Sequence, residues 1–203
     1  MKTYQPITAE IIEKLKAITG PTYVKTDKDL LLQYQTDYET NPAMFHLPEA
    51  AVSPANAQEI SDIVKLANEY DFPITVRSGG TSLADGAIPV CGGLVLCMDR
   101  LNKIIELNEE GMYMTVEAGV RTVDLQNAAK KVGLMYAGDP SSAESCLIGG
   151  NLATNAGGLR AVRYGVTRDQ VFCLEVVTPT GDIVECGRFL KKCSSGYDLD
   201  QLI

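Results

Sequence analysis

The chain has 203 residues and a formal net charge of −8, from 18 Lys plus Arg against 26 Asp plus Glu. Such an acidic chain gains nothing from counterion release, which argues against nucleic acid as a general partner. Apolar residues make up 45% and charged residues 22% of a chain long enough to bury a core, and no apolar run approaches the roughly 18–20 residues of a transmembrane segment.

The opening stretch, MKTYQPITAEII, has no hydrophobic signal core, so the expected compartment is the cytoplasm. Residues 7–19 read as a helix with Ile11, Ile12, Leu15 and Ile18 on one face, stopped by Gly20-Pro21. A second short helix is predicted over 27–35 and a loop over 36–50, punctuated by Pro42 and Pro48. Val52 closes a short strand. Asn56 then caps a helix that runs to Tyr70, with Ile60, Ile63, Val64 and Ala67 facing a sheet. The strand over 73–77 completes a strand–helix–strand unit, so its two strands should run parallel.

Further strands are predicted at Leu94–Met98, Lys103–Leu107 and Met112–Glu117, the last two joined by the turn Asn108–Gly111. A helix follows Thr122, with Leu125, Ala128, Ala129 and Val132 on one face and Gly133 at its end. Leu134–Tyr136 reads as a short strand. Phe172–Thr178 and Asp182–Cys186 read as a hairpin around Pro179-Thr180-Gly181. The fold class is α+β, with mixed β-sheets and peripheral helices. The predicted division is an N-terminal helical segment over 1–45 and a main domain over 46–203.

The six cysteines, at 91, 97, 146, 173, 186 and 193, include no C-x-x-C pair, and five lie in apolar or strand-like segments. They read as reduced, mostly buried thiols, with no metal or iron–sulfur site. His46, the only histidine, lies among prolines and has no G-x-S-x-G partner for a catalytic triad, so its expected role is structural.

Two stretches are unusually bare. In 77-RSGGTSLADGA-87, Gly79 and Gly80 allow positive φ, so that successive N–H groups can converge on an anion. Ser78, Thr81 and Ser82 add hydroxyls and Arg77 a counter-charge. The spacing fits neither the Walker loop nor the Rossmann fingerprint, and on this stretch alone a plain structural turn remains open. In 149-GGNLATNAGG-158 only Leu152 is a large apolar residue. Either a ligand approaches this backbone closely, or two chain segments cross tightly at the glycines.

Taken together, 77-RSGGTSLADGA-87, 139-DPSS-142, 148-IGGNLATNAGGLRAVRYG-165 and 173-CLEVVTPTGDIVECG-187 resemble the FAD-binding domain of the p-cresol methylhydroxylase and vanillyl-alcohol oxidase flavoproteins. Within that family the resemblance is greatest to the FAD-linked dehydrogenases of D-2-hydroxy acids, of the glycolate oxidase D-subunit, D-lactate and D-2-hydroxyglutarate types. It implies that Ser78, Gly79, Gly80, Thr81 and Ser82 wrap the FAD diphosphate, with Arg77 beside them. Asp139, Pro140, Ser141 and Ser142 would line the flavin and ribityl chain. Gly149, Gly150, Thr154, Asn155, Gly157 and Gly158 would pass against the isoalloxazine and phosphates.

Thr81 stands where covalent members carry a histidine, which implies non-covalent FAD. The family's chemistry is removal of a hydroxyl proton with hydride transfer from substrate C2 to flavin N5, followed by electron transfer to a partner: an electron-transfer flavoprotein, an iron–sulfur subunit or a quinone. In that family the segment 196-GYDLDQLI-203 leads into a G-S-E-G-T-L-G motif, a substrate-binding cap and a catalytic histidine. The resemblance therefore implies an FAD domain incomplete at its C-terminal end, truncated before the cap, with no assignable catalytic residue. Arg160, Arg163 and Arg168 are expected in surface salt bridges. Two other readings are a non-catalytic FAD-binding module and a flavin enzyme of the alkyl-glycerone-phosphate synthase type.

Overall fold

The computed structural model describes residues 3–38 and 41–188, together with Gly196, Tyr197 and Leu199; Cys193 lies outside them. The chain opens with α1 (Ala9–Thr19), the two-residue strand β1 (Val24–Lys25) and α2 (Lys28–Leu31), the last continued by a 3-10 turn over Leu32–Tyr34. Thr8 caps α1 by accepting the Ile11 N–H, so the helix begins at Ala9, two residues later than its apolar pattern predicts.

Strand β2 (Ala50–Val52), helix α3 (Ala57–Tyr70), strand β3 (Ile74–Arg77) and strand β4 (Leu94–Cys97) follow. The first sheet has the order β1-β2-β4-β3. β2 and β3 are parallel, as their connection requires, but each pairs with β4, which is inserted between them. β4 is buried along its whole length because both its faces are covered, and its side chains alternate between two cores. Leu94 and Leu96 join Ala50, Val52, Ile63, Ile11 and Leu15 under α1 and α3. Val95 and Cys97 join Ala51, Leu31 and Tyr34 on the opposite face. The N-terminal segment thus covers both faces of the sheet: α1 lies on one, and residues 31–34 lie on the other.

Helix α3 follows its sequence pattern closely. The Asn56 side chain accepts the Glu59 N–H at 2.9 Å, and Glu59 accepts the Ala55 N–H at 2.8 Å, a reciprocal cap worth about 1 kcal/mol. Ile63, Leu66 and Ala67 are buried. The helix ends on Asp71 in the left-handed region, at φ 54°.

The second part of the chain builds on a hairpin of β5 (Ile104–Asn108) and β6 (Tyr113–Val116). Its turn is closed by Asn108 Oδ1 accepting the Gly111 N–H at 2.7 Å. Leu125 of helix α4 (Thr122–Lys131), Ile148 of helix α5 (Ile148–Ala153) and Val120, just before α4, pack against Met114, Val116 and Tyr136. One prediction fails here. Leu134–Tyr136 is extended but pairs with no strand among the described residues; the Leu134 N–H instead closes α4 onto the Ala129 carbonyl at 3.0 Å, and Tyr136 turns into the local core. The second bare stretch is partly helical, because α5 occupies its first half.

The short helix α6 (Ala161–Tyr164) precedes the hairpin of β7 (Cys173–Val177) and β8 (Ile183–Gly187). The β7–β8 turn docks on α3. Ser61 Oγ donates to the Gly181 carbonyl and Asn68 Nδ2 donates to the Pro179 carbonyl at 2.8 Å. Gly181 sits at φ 84° with Lys65 against its Cα, so turn geometry and close approach both require glycine there. Of the five described cysteines, all free, Cys97, Cys146 and Cys186 are buried, Cys173 is half-buried and Cys91 is exposed. Among the described residues no helix is long and apolar enough to cross a membrane.

Candidate cofactor-binding site

The fold brings the bare stretches together. The first leaves the end of β3 at Arg77. Ser78 Oγ accepts the N–H of Gly150, at the start of α5, at 3.0 Å. A Cβ on Gly79 would stand 2.7 Å from the Ser145 carbonyl, and one on Gly150 would stand 2.9 Å from Ser78 Cβ. Gly149 donates to the Ala118 carbonyl at 2.8 Å, and its own missing Cβ would meet Ala118 Cβ at 2.9 Å. At the far end, Gly158 has φ 155° and the Asp139 carbonyl occupies the place of its Cβ. At 79, 149, 150 and 158, therefore, bareness serves the crossing of chain segments. Gly157 differs, because its nearest neighbour beyond the adjoining residues would be Val166 Cγ1 at 3.8 Å.

Asp139 and Pro140 start a turn in which the Pro140 carbonyl accepts the Ala143 N–H at 3.0 Å and the Ser142 carbonyl accepts those of Ser145 and Cys146, both at 2.8 Å. Asp139 pairs with Arg160, Oδ2 to Nε 3.4 Å, and its other oxygen lies 3.4 Å from Gln126 Nε2. Gln126 also donates to the Gly138 carbonyl at 2.8 Å. Thr154 Oγ1 donates to the Gly150 carbonyl at 3.0 Å. Asn155 takes φ 47° and accepts the Arg168 N–H at 3.1 Å.

Arg77 is packed on the protein side of its loop. Its Nη1 donates to the Thr36 carbonyl at 2.7 Å, and its guanidinium carbon lies 5.8 Å from the Tyr34 ring centroid. Burial lowers its pKa from the ordinary arginine value, with Cys97, Asp37 and Tyr34 acting in the opposite direction. Burial likewise pushes the Cys97 thiol, beneath it, up to about 11, and the Tyr136 phenol, beside the 139–142 turn, up to about 12.

Several supporting residues carry no signal in the sequence. Buried Asn151 donates to Thr122 Oγ1 at 2.6 Å, and that hydroxyl lies 3.2 Å from Cys146 Sγ. The three link α5, α4 and the 139–146 turn. Asp85, at φ 57°, keeps one carboxylate oxygen buried with no hydrogen-bond partner among the described residues. Its only mark in the sequence is an Asp-Gly pair inside a bare loop.

Among the described residues the backbone N–H groups of Gly79, Gly80, Thr81, Ser82 and Leu83 donate to no protein acceptor, nor do those of Ser141, Ser142, Gly157, Gly158 and Leu159. Donors left over in this way are open to water or to a bound ligand. The set is rich in N–H and hydroxyl groups, as a diphosphate requires, and the orphaned Asp85 oxygen calls for a donor such as a sugar hydroxyl.

Comparison with known proteins names the ligand. The FAD binding domain family matches residues 48–187. The chain belongs to this family. FAD is accordingly its cofactor, and the donor set fits it. Glycolate oxidase subunit GlcD of Bacillus subtilis is 42% identical over 97% of the chain, D-lactate dehydrogenase of Anaerostipes hadrus 37% over 98%, and D-2-hydroxyglutarate dehydrogenase of Stutzerimonas stutzeri 38% over 95%. The chain spans only 41–42% of the length of these relatives.

Among solved structures, p-cresol methylhydroxylase superposes with a TM-score of 0.82 at 26% identity, over 94% of this chain and 39% of that one. Alkyldihydroxyacetonephosphate synthase superposes with 0.85 at 24%, over 100% and 38%; at that identity the likeness is one of fold. The p-cresol methylhydroxylase-type FAD-binding architecture expected from the sequence is the one observed.

Proposed function

We propose that this member of the FAD binding domain family is the cofactor-holding part of a flavin-dependent dehydrogenase of D-2-hydroxy acids, of the D-lactate or glycolate type. The observation that carries this reading is 37–42% identity, over nearly the whole chain, to relatives named for those substrates. Gly79–Ser82 hold the diphosphate through their free N–H groups, and Ser78, Thr81 and Ser82 add hydroxyls. Asp139–Ser142 and the stretch Gly149, Gly150, Thr154, Asn155, Gly157 and Gly158 run along the flavin end. Bound FAD supplies the two-electron acceptor for oxidation of the 2-hydroxy acid to a 2-keto acid.

The residues of this chain contribute orientation and a polar cradle; none of them is assigned the role of base. Thr81 stands where covalent members of the family carry a histidine, and the resemblance therefore implies non-covalent FAD. Reoxidation calls for a redox partner, an electron-transfer flavoprotein or an iron–sulfur subunit, and the proposed compartment is the cytoplasm. A second reading, FAD binding without turnover by this chain alone, is favoured by its 41% coverage of the glycolate oxidase subunit.

The test is an absorbance spectrum after FAD addition and desalting, followed by dye reduction with D-lactate, glycolate and D-2-hydroxyglutarate. A protein-bound flavin spectrum that passes to the supernatant on acid precipitation is expected. A colourless protein overturns the cofactor assignment for this chain. Bound flavin without dye reduction selects the second reading.

A further inference from the structure

The N–H groups of Gly79–Leu83 have no internal acceptor, so something else must hold this loop in shape. Besides the bond from Gly150 to Ser78, the structure provides two ties to residues 34–38, which lie outside the matched family region of 48–187. At the start of the loop Arg77 donates to the Thr36 carbonyl at 2.7 Å. At its end the Tyr38 N–H donates to the Ser82 carbonyl at 3.2 Å. Between them Gly80, at φ 63°, rests its Cα on the Arg77 guanidinium: a Cβ there would stand 2.6 Å from Arg77 Cζ. The guanidinium in turn stacks near the Tyr34 ring, and the Tyr34 hydroxyl receives Lys25 Nζ at 2.6 Å. The faces of the guanidinium are thus occupied by protein on more than one side.

We infer that Arg77 is a positioning residue that pins the diphosphate loop to a strap at 34–38 and shapes it from behind, in place of neutralising the phosphates itself. The inference rests on the FAD reading above. It explains why the position needs arginine: a planar fork can bond a carbonyl, stack on an aromatic ring and underlie a glycine at once, whereas a lysine ammonium is a point donor.

The experiment compares the full chain with Arg77→Lys, Arg77→Met and Gly80→Ala, checking each fold by circular dichroism. Two quantities are read: FAD affinity by flavin fluorescence, and hydrogen–deuterium exchange at Tyr38 in the FAD-free protein. Both Arg77 variants are expected to speed Tyr38 exchange by about 10-fold and to weaken FAD by about 10- to 100-fold, the loss of a charge-assisted bond. Lysine should not rescue. Gly80→Ala, which displaces the guanidinium but keeps its charge, should reproduce both effects, and it decides the matter if Arg77→Met does not fold. Near-normal affinity in Arg77→Lys with unchanged exchange in every variant overturns the inference, because the charge then acts on the phosphates directly. If the unaltered chain binds no FAD, the cofactor reading fails, while the exchange measurement still tests the strap.

Discussion

The two glycine-rich stretches are alike in composition and opposite in construction. The first, after β3, has only Gly79 hemmed in by backbone; it is shaped by Arg77 and by the 34–38 strap, and its N–H groups face no protein acceptor. The second contains a helix. Its glycines at 149, 150 and 158 are filled by Ala118, Ser78 and Asp139, and it is held by the buried Asn151–Thr122–Cys146 link. Glycine in the first stretch supplies conformational freedom and open donors, and in the second it supplies room for chain crossings. The second therefore builds the platform against which the first is set, through the bond from Gly150 to Ser78.

The largest effect that separates them is steric. Gly158→Val places a branched side chain at φ 155° where the Asp139 carbonyl already lies, so both strain and overlap oppose it. We expect a loss of about 3 kcal/mol or more in stability, by urea unfolding with or without FAD. A variant of unchanged stability that merely lost FAD would show that the second stretch, like the first, is bare for the ligand.

This division explains how much could be read from the sequence. Helix α3 was legible because its cap, Asn56, and its buried face, Ile63 and Ala67, are local signals. The β7–β8 hairpin was legible through Pro179-Thr180-Gly181. Helix α5 was not, because each glycine in Ile148–Ala153 costs about 1 kcal/mol of helix propensity and the reason for accepting that cost, the approach of Ala118 and Ser78, is tertiary. Of the site, the bare residues were legible as a group, but the use of each was not: Gly79 and Gly158 look alike in the sequence to Gly157, and only distance tells them apart. The strap was invisible because Thr36 and Tyr38 act through backbone groups that any residue possesses. Strand β1, two residues long, falls below the length at which alternation can be recognised.

A smaller effect tests the footings by pH. Beneath the first stretch, burial raises Cys97 from 9.0 to about 11; beside the second turn it raises Tyr136 from 10.0 to about 12. Both groups are neutral when protonated, and the folded state holds those protons to higher pH than the unfolded state does. The unfolded state therefore binds fewer protons in each window, and stability falls as pH rises. The loss from Cys97 develops between pH 9 and 11 and that from Tyr136 between pH 10 and 12, each about 3 kcal/mol at most. Cys97→Ala should flatten the stability profile over the first window and Tyr136→Phe over the second, by chemical unfolding at fixed ionic strength. Equal slopes in all three proteins would mean that neither footing is dry.

The smallest expected effect lies at the residue that breaks the pattern of its own stretch. Gly157 has no positive φ, and a Cβ there would find nothing closer than Val166 Cγ1 at 3.8 Å, so Gly157→Ala should leave stability within about 0.5 kcal/mol or raise it slightly by restricting the unfolded chain. The protein itself thus offers no reason for glycine at 157, while its N–H is one of those without an acceptor. If that space belongs to the cofactor, the added methyl should weaken FAD several-fold in a protein as stable as the parent, the reverse of the outcome at Gly158 one residue away. Unchanged affinity would confine cofactor contact in the second stretch to other residues and leave the first loop as the principal cradle.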